Sequence, residues 1–242
     1  MPRPALVALA LLSLPATAEE ALPKLGPLAV PITAETEFLR SAPAPDYWAF
    51  APFVRPQFTT SACGIATVTA TLNGLRGLPA LAEDAIPDQP ALLDAIGDPL
   101  WVDLTAEGGD GLTFAQLSEL ALAGAAALEM EVTVTALPAA GTPDADLRAL
   151  LLANEAGAGD AVMVYFNQGA ITGDWDGPHI ALIGAFDDAT GRVLILEVDQ
   201  EWYIPYWTDF DALLAAMRRP TSAEHGPLEG QTGGLVRVAL GD

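Results

Sequence analysis

The stretch Phe53–Leu75 constrains this chain most. It places the single cysteine, Cys63, where a polar, proline-containing loop gives way to an apolar helical repeat. Ile65, Val68, Leu72 and Leu75 recur at the spacing of one helix face, and Gly77 is a stop signal. Before Cys63 the chain is polar and carries Pro56, which predicts a loop. Cys63 therefore falls at or near the first turn of a helix that buries its apolar side. Unpaired backbone N–H groups and the positive end of the helix dipole favour negative charge at that point. Gln57 lies six residues earlier, within reach of the sulfur if the loop folds back. A nucleophile beside an amide donor is what acyl transfer requires. A lone cysteine also serves as a small apolar filler, so the choice between the two roles rests on the remainder of the chain.

One cysteine in 242 residues rules out an internal disulfide, and the chain is not a disulfide-stapled scaffold. Its first residues combine one positive charge, the apolar run Pro4–Leu14 and a small-x-small site ending at Ala18. That pattern predicts a signal peptide over 1–18, too short to span a bilayer, and a periplasmic or secreted protein. Residues 19–50 are rich in Pro and Ala and predict an extended arm, with Phe38 and Leu39 as anchors. Residues 51–242 are read as one catalytic domain, with Trp48, Phe50 and Phe53 packing under the cysteine loop. Apolar content of 51% supports a packed core. A net charge of −22 opposes nucleic acid and, once the signal is removed, anionic membrane surfaces as partners.

Along the domain the pattern predicts a helix over Pro90–Ile96 with Pro in its first turn. A second helix is opened by a Thr113–Gln116 capping box and ended near Gly124. Met130–Thr135 alternates as a strand, and Thr142-Pro143 opens a helix through Leu152. Ala161–Phe166 is a buried strand, followed by a polar loop from Asn167 to Pro178. Strands over His179–Phe186 and Arg192 to about Asp199 are joined by a turn at Asp187–Gly191. Asp209–Met217 is helical and Gly234–Leu240 closes as a strand. Helices gather early and strands late, which is α+β order: a helical lobe packed against a mainly antiparallel sheet, with the site in the cleft between them.

Of the two histidines, His225 sits in a polar Gly- and Pro-containing loop and is read as solvated. His179 stands at the mouth of an apolar strand. On the next strand Glu197 and Asp199 share a face by the period of two, and two carboxylates ending Val-Leu-Ile-Leu need a partner. The resulting set is nucleophile Cys63, base His179, orienting carboxylate Glu197 or Asp199, and oxyanion donor Gln57.

In order, Gln57…Cys63-Gly-Ile-Ala…Leu72-Asn73, Gly111-Leu-Thr113, Gly177-Pro-His179-Ile, Leu194-Ile-Leu-Glu-Val198, Tyr203-Ile-Pro205-Tyr-Trp207 and Ala216-Met217 resemble the catalytic domain of phytochelatin synthases. These are papain-like cysteine enzymes acting on glutathione. The resemblance implies a papain-like fold and attack by Cys63 on the Cys–Gly bond of glutathione. Glycine would leave protonated by His179, and the γ-Glu-Cys group would pass to water or to another glutathione. Three departures from the pattern involve four positions. Glu197 stands where the family has Asp, Gln200 and Trp202 replace a basic pair, and Pro178 replaces Gly before the histidine. No Cys-rich C-terminal region follows, as in the short bacterial forms, for which the resemblance implies mainly hydrolysis. It implies no built-in cofactor; Cd or Zn would arrive as a metal–glutathione complex. Two other readings remain open at this point. One is a papain-like peptidase resembling the bacteriocin-leader-processing family. The other is an exported non-catalytic module binding a cation or amine through Asp174, Asp176, Glu197 and Asp199.

Overall fold

The computed structural model describes residues 24–241; the signal peptide expected over 1–18 lies outside them. In chain order the elements are β1 (Val30–Pro31), α1 (Glu37–Ser41), α2 (Pro45–Phe50), α3 (Cys63–Arg76), α4 (Gln89–Ile96), α5 (Pro99–Thr105), α6 (Phe114–Ala127), β2 (Val132–Pro138), α7 (Asp144–Asn154), β3 (Asp160–Asn167), α8 (Gly169–Thr172), β4 (Pro178–Asp187), β5 (Arg192–Leu196), β6 (Tyr206–Asp209), α9 (Phe210–Arg218) and β7 (Gly234–Leu240). Short 3-10 turns occupy Ala51–Phe53 and Ala223–Leu228. The strands form one sheet in the order β1-β6-β5-β4-β3-β7-β2, every pairing antiparallel. This is the expected α+β class, with a mainly antiparallel sheet. The last strand, β7, is not an edge: it pairs with β3 on one side and β2 on the other.

The period of two divides the core into two layers. Ala161, Met163 and Tyr165 of β3 face the layer under α2, α3, α4 and α6. Val162, Val164 and Phe166 face the layer under α7, α8 and α9. A bulge between Ile183 and Ala185 shifts the phase of β4, so Ile180, Leu182 and Ala185 share the first face. The expected helical lobe covers one face, and a second set of helices covers the other. The sheet is buried on both faces, which is why β3 reads as a continuous apolar run.

Local signals place α3, α4 and α6. Gly77 caps α3, Pro90 sits in the first turn of α4, and the Thr113–Gln116 box is formed reciprocally. The helix after that box runs through Gly124 to Ala127, because Gly124 packs against Leu72 and Leu92 rather than ending the helix. The strand expected to reach Asp199 stops at Leu196, because Glu197 is turned away from the sheet ladder by its own hydrogen bonds.

The arm departs most from expectation. Residues 37–50 are not extended: α1 and α2 lie there, and Leu39, Ala44 and Phe50 belong to the main core. Phe38 packs edge-on against Trp207 at 5.7 Å. Phe50 is fully buried beneath α3, whereas Trp48 is 59% exposed and does not pack under the cysteine loop. A Cβ on Gly74 would lie 2.0 Å from Phe50 Cδ1. Gly74→Ala should therefore cost about 1–3 kcal/mol by overpacking, more than the ~1 kcal/mol of helix propensity it gains. A denaturant melt checks this, and Phe50→Leu in the same chain should recover part of the loss.

Asp46 is fully buried beside Asn154. Burial, reinforced by Glu155 and Asp160, pushes its carboxyl up to about 8 against an ordinary 3.8. The folded state keeps a proton that the unfolded state sheds above its ordinary value. Stability should therefore fall as pH rises from about 4 to about 8. Asp46→Asn keeps the acceptor and removes the titration, so its gain in melting temperature should be largest near pH 8 and smallest near pH 4. At about 1.4 kcal/mol per pKa unit the difference amounts to a few kcal/mol.

Candidate active site

Cys63 is the first residue of α3 and is half-buried in the wall of a cleft of about 880 Å³. At this position the backbone N–H groups of the first turn have no intrahelical partner and point toward the cleft end of the helix. Two features bring that end onto the sheet. Gly64 permits close approach, since a Cβ there would lie 2.3 Å from Leu112 Cδ1. Thr67, one turn on, donates a buried hydrogen bond of 3.1 Å to the Ile180 carbonyl, locking α3 to β4 one residue beyond His179.

The loop before Cys63 is held on both sides. The Phe58 N–H donates to Gln89 Oε1 and Gln89 Nε2 to the Pro56 carbonyl, at 3.1 and 2.8 Å. Thr59 donates to the Thr105 carbonyl, Thr60 binds Glu107 twice, and Ser61 donates to the Gly109 carbonyl. Gln57 N–H donates to the Val198 carbonyl at 2.8 Å, which ties the glutamine to the segment carrying Glu197. Its side chain lines the same cleft as Cys63 and His179.

His179 is the second residue of β4, directly opposite Phe166 of β3, with the rings edge-on at 5.7 Å. It is 3% exposed. His179 Nε2 contacts Glu197 Oε1 at 2.6 Å, and Cys63, which lines the same cleft, is near enough to help hold the imidazole protonated. With Nε2 committed to Glu197, Nδ1 is the nitrogen left for the thiol. Glu197 is completely buried and fully occupied. Oε1 also accepts from the Val198 and Asp199 N–H groups, and Oε2 accepts from Gln168 Nε2 at 3.1 Å.

The charges follow from these contacts. Burial by itself pulls the His179 imidazole down, but the Glu197 charge and the nearby Cys63 outweigh it and hold the imidazole well above its usual value. Burial pushes Glu197 up, and the imidazolium together with the two backbone donors reverses this and holds it below its usual value. Burial, with Glu197 and Glu201 nearby, raises Asp199 despite His179 and Lys24.

The structure therefore brings together Gln57, Cys63, His179 and Glu197 and separates the two carboxylates the sequence left open. Glu197 orients the imidazole. Asp199 lines the cleft and joins the site only through its backbone N–H. His225 is not merely solvated: Nε2 donates to the Asp176 carbonyl at 2.8 Å and the ring stacks edge-on with Trp175 on the cleft rim. Gln168 and Gln89, the two buried amides that hold Glu197 and the cysteine loop, went unseen. Nothing in their sequence neighbourhoods marks them, since their partners are 29 and 31–33 residues away. Among the described residues no group of three or more His, Cys, Asp or Glu side chains is gathered to hold a metal ion, and no helix is long and apolar enough to cross a membrane.

A buried carboxylate, an imidazolium and a thiol in a row, at a helix start and beneath a cleft, can generate a nucleophilic sulfur and return a proton to a leaving amine. The family model described as phytochelatin synthase matches residues 33–225, and no curated protein matches the chain.

Proposed function

The chain belongs to the phytochelatin synthase family, and from that membership and the site we propose a glutathione γ-glutamylcysteinyltransferase-like enzyme working through a thioester on Cys63. The observation that carries the reading is the row Cys63–His179–Glu197, buried at its far end and open to the cleft at the sulfur. Cys63 attacks the carbonyl of the Cys–Gly bond. The oxyanion is met by the N–H groups of the first turn of α3 and by the Gln57 amide. His179 hands its proton to the departing glycine nitrogen as the C–N bond breaks, then takes a proton from water, which hydrolyses the thioester. A second glutathione amine in place of water would extend the chain. Hydrolysis is the main outcome in this reading, and Cd or Zn would enter as the metal–glutathione substrate. With residues 1–18 read as an export signal, the reaction takes place in the periplasm or outside the cell.

The test is mass spectrometry of the protein incubated with glutathione. Free glycine together with a γ-Glu-Cys adduct on the Cys63 peptide is expected. Neither glycine nor adduct, with the thiol also slow to alkylate, would leave the non-catalytic module ahead.

A further inference from the structure

Among the described residues that line the active-site cleft, Lys24 is the one ammonium and there is no guanidinium. Six carboxylates line the same cleft, Asp199 and Glu201 among them. The His179 imidazolium is the other cation, and Glu197 already holds it. Lys24 is held differently. Its Nζ lies 4.4 Å from the centroid of the Trp202 ring and 5.1 Å from that of Tyr203. Among the described residues it enters no ion pair. Aromatic faces attract an ammonium without neutralising it, so its charge remains open to an anion in the cleft. The backbone on either side of it is anchored. The Gly26 N–H donates to the Thr172 carbonyl at 2.6 Å, and β1 pairs with β6. In a cleft so rich in carboxylates, the resting place of a substrate carboxylate is set by the cations, and Lys24 is the one not spent on the catalytic row.

The wall that carries Lys24 is built onto the support of the histidine. The Trp202 and Tyr203 N–H groups donate to the Asp199 carbonyl at 3.1 and 3.0 Å. The Asp199 N–H in turn donates to Glu197 Oε1, the atom that holds His179. In the acyl-transfer reading above, on which a role for Lys24 rests, the leaving nitrogen faces His179 and takes its proton. The glycine carboxylate lies one carbon beyond that nitrogen, whereas the γ-Glu carboxylate lies at the far end of the acyl group. The substrate carboxylate carried on the histidine side is therefore that of glycine. We infer that Lys24 is a specificity-determining residue, its ammonium binding the carboxylate of the leaving glycine so that a free C-terminal carboxylate is preferred over a neutral end. The bond changes at Cys63 are unaltered, and Lys24 moves no proton.

The test measures amine release by the full chain from glutathione and from its C-terminal amide, γ-Glu-Cys-glycinamide, at low and high salt. The unaltered chain is expected to favour glutathione about tenfold in kcat/KM at low salt, with the preference carried by KM and shrinking as salt screens the ammonium. Lys24→Gln, on an exposed side chain, should bring glutathione down to the level of the amide. Lys24→Arg, which keeps the charge, should restore most of the preference. Equal cleavage of the two substrates by the unaltered chain overturns the assignment. So does a Lys24→Gln variant that keeps the preference or lowers both substrates alike. Either result leaves the thioester reading standing, since the adduct on Cys63 reports that step independently. No amine released from either substrate, with no adduct on Cys63, overturns both.

Discussion

Under the proposed reaction, Cys63→Ser should lower glycine release from glutathione by about 10³-fold or more while leaving the melting temperature nearly unchanged. The sulfur is half-buried at the first residue of α3, beside an imidazole kept protonated by a buried carboxylate. Serine nearly preserves the size, but its hydroxyl is a far weaker acid than a thiol and stays protonated beside an imidazolium. The expected split is therefore between activity and stability. A steady-state assay beside a thermal melt measures it, and a thiol that merely filled space would give the opposite pattern. His179→Ala should match the loss and also abolish fast alkylation of Cys63 near neutral pH, because the sulfur loses the cation it faces.

Replacing Glu197 has the second largest effect and acts on both folding and rate. Glu197→Ala leaves a buried imidazolium, two backbone N–H groups and the Gln168 amide without an acceptor, and should cost about 3–5 kcal/mol. Glu197→Gln keeps the volume and isolates the electrostatic part. The imidazole then loses its counter-charge, and the rate should fall about 10²- to 10⁴-fold. Glu197→Asp retracts the carboxylate by one methylene from a 2.6 Å contact and should fall in between. Asp199→Asn should move the imidazole limb of the pH–rate profile far less than Glu197→Gln, since only Glu197 is hydrogen-bonded to His179. That contrast separates the two carboxylates.

The same pair sets a pH window for stability. Glu197 is lowered in the fold, so its contribution is complete above the unfolded value near 4.5 and is lost as pH falls through the folded one. His179 is raised in the fold, so its contribution is complete below the unfolded value near 6.5 and is lost as pH rises through the folded one. The ion pair therefore contributes fully between about 4.5 and 6.5. In Glu197→Gln that plateau should disappear from a plot of unfolding free energy against pH.

Much of this protein follows from its sequence because the signals are local. The apolar repeat after Cys63, the Thr113–Gln116 box, the buried run of β3 and the Gly234–Leu240 strand are each written within one element, where periodicity and capping act over a few residues. The nucleophile and the histidine are legible for the same reason, since each marks the start of such an element. Three things were decided only when the chain closed. The second helical cover of α7, α8 and α9 depends on the sheet burying both faces. The helical folding of residues 37–50 depends on α3 offering Phe50 a place beneath Gly74. The choice of Glu197 over Asp199 is the clearest case. Both carboxylates satisfy the strand period, but β5 ends at Leu196, and backbone turning at Val198 and Asp199 aims two N–H groups at Glu197 while Gln168 arrives from another loop. A period of two assigns a side chain to a face. Only the convergence of donors from distant segments can stabilise one buried charge and leave its neighbour at the cleft wall.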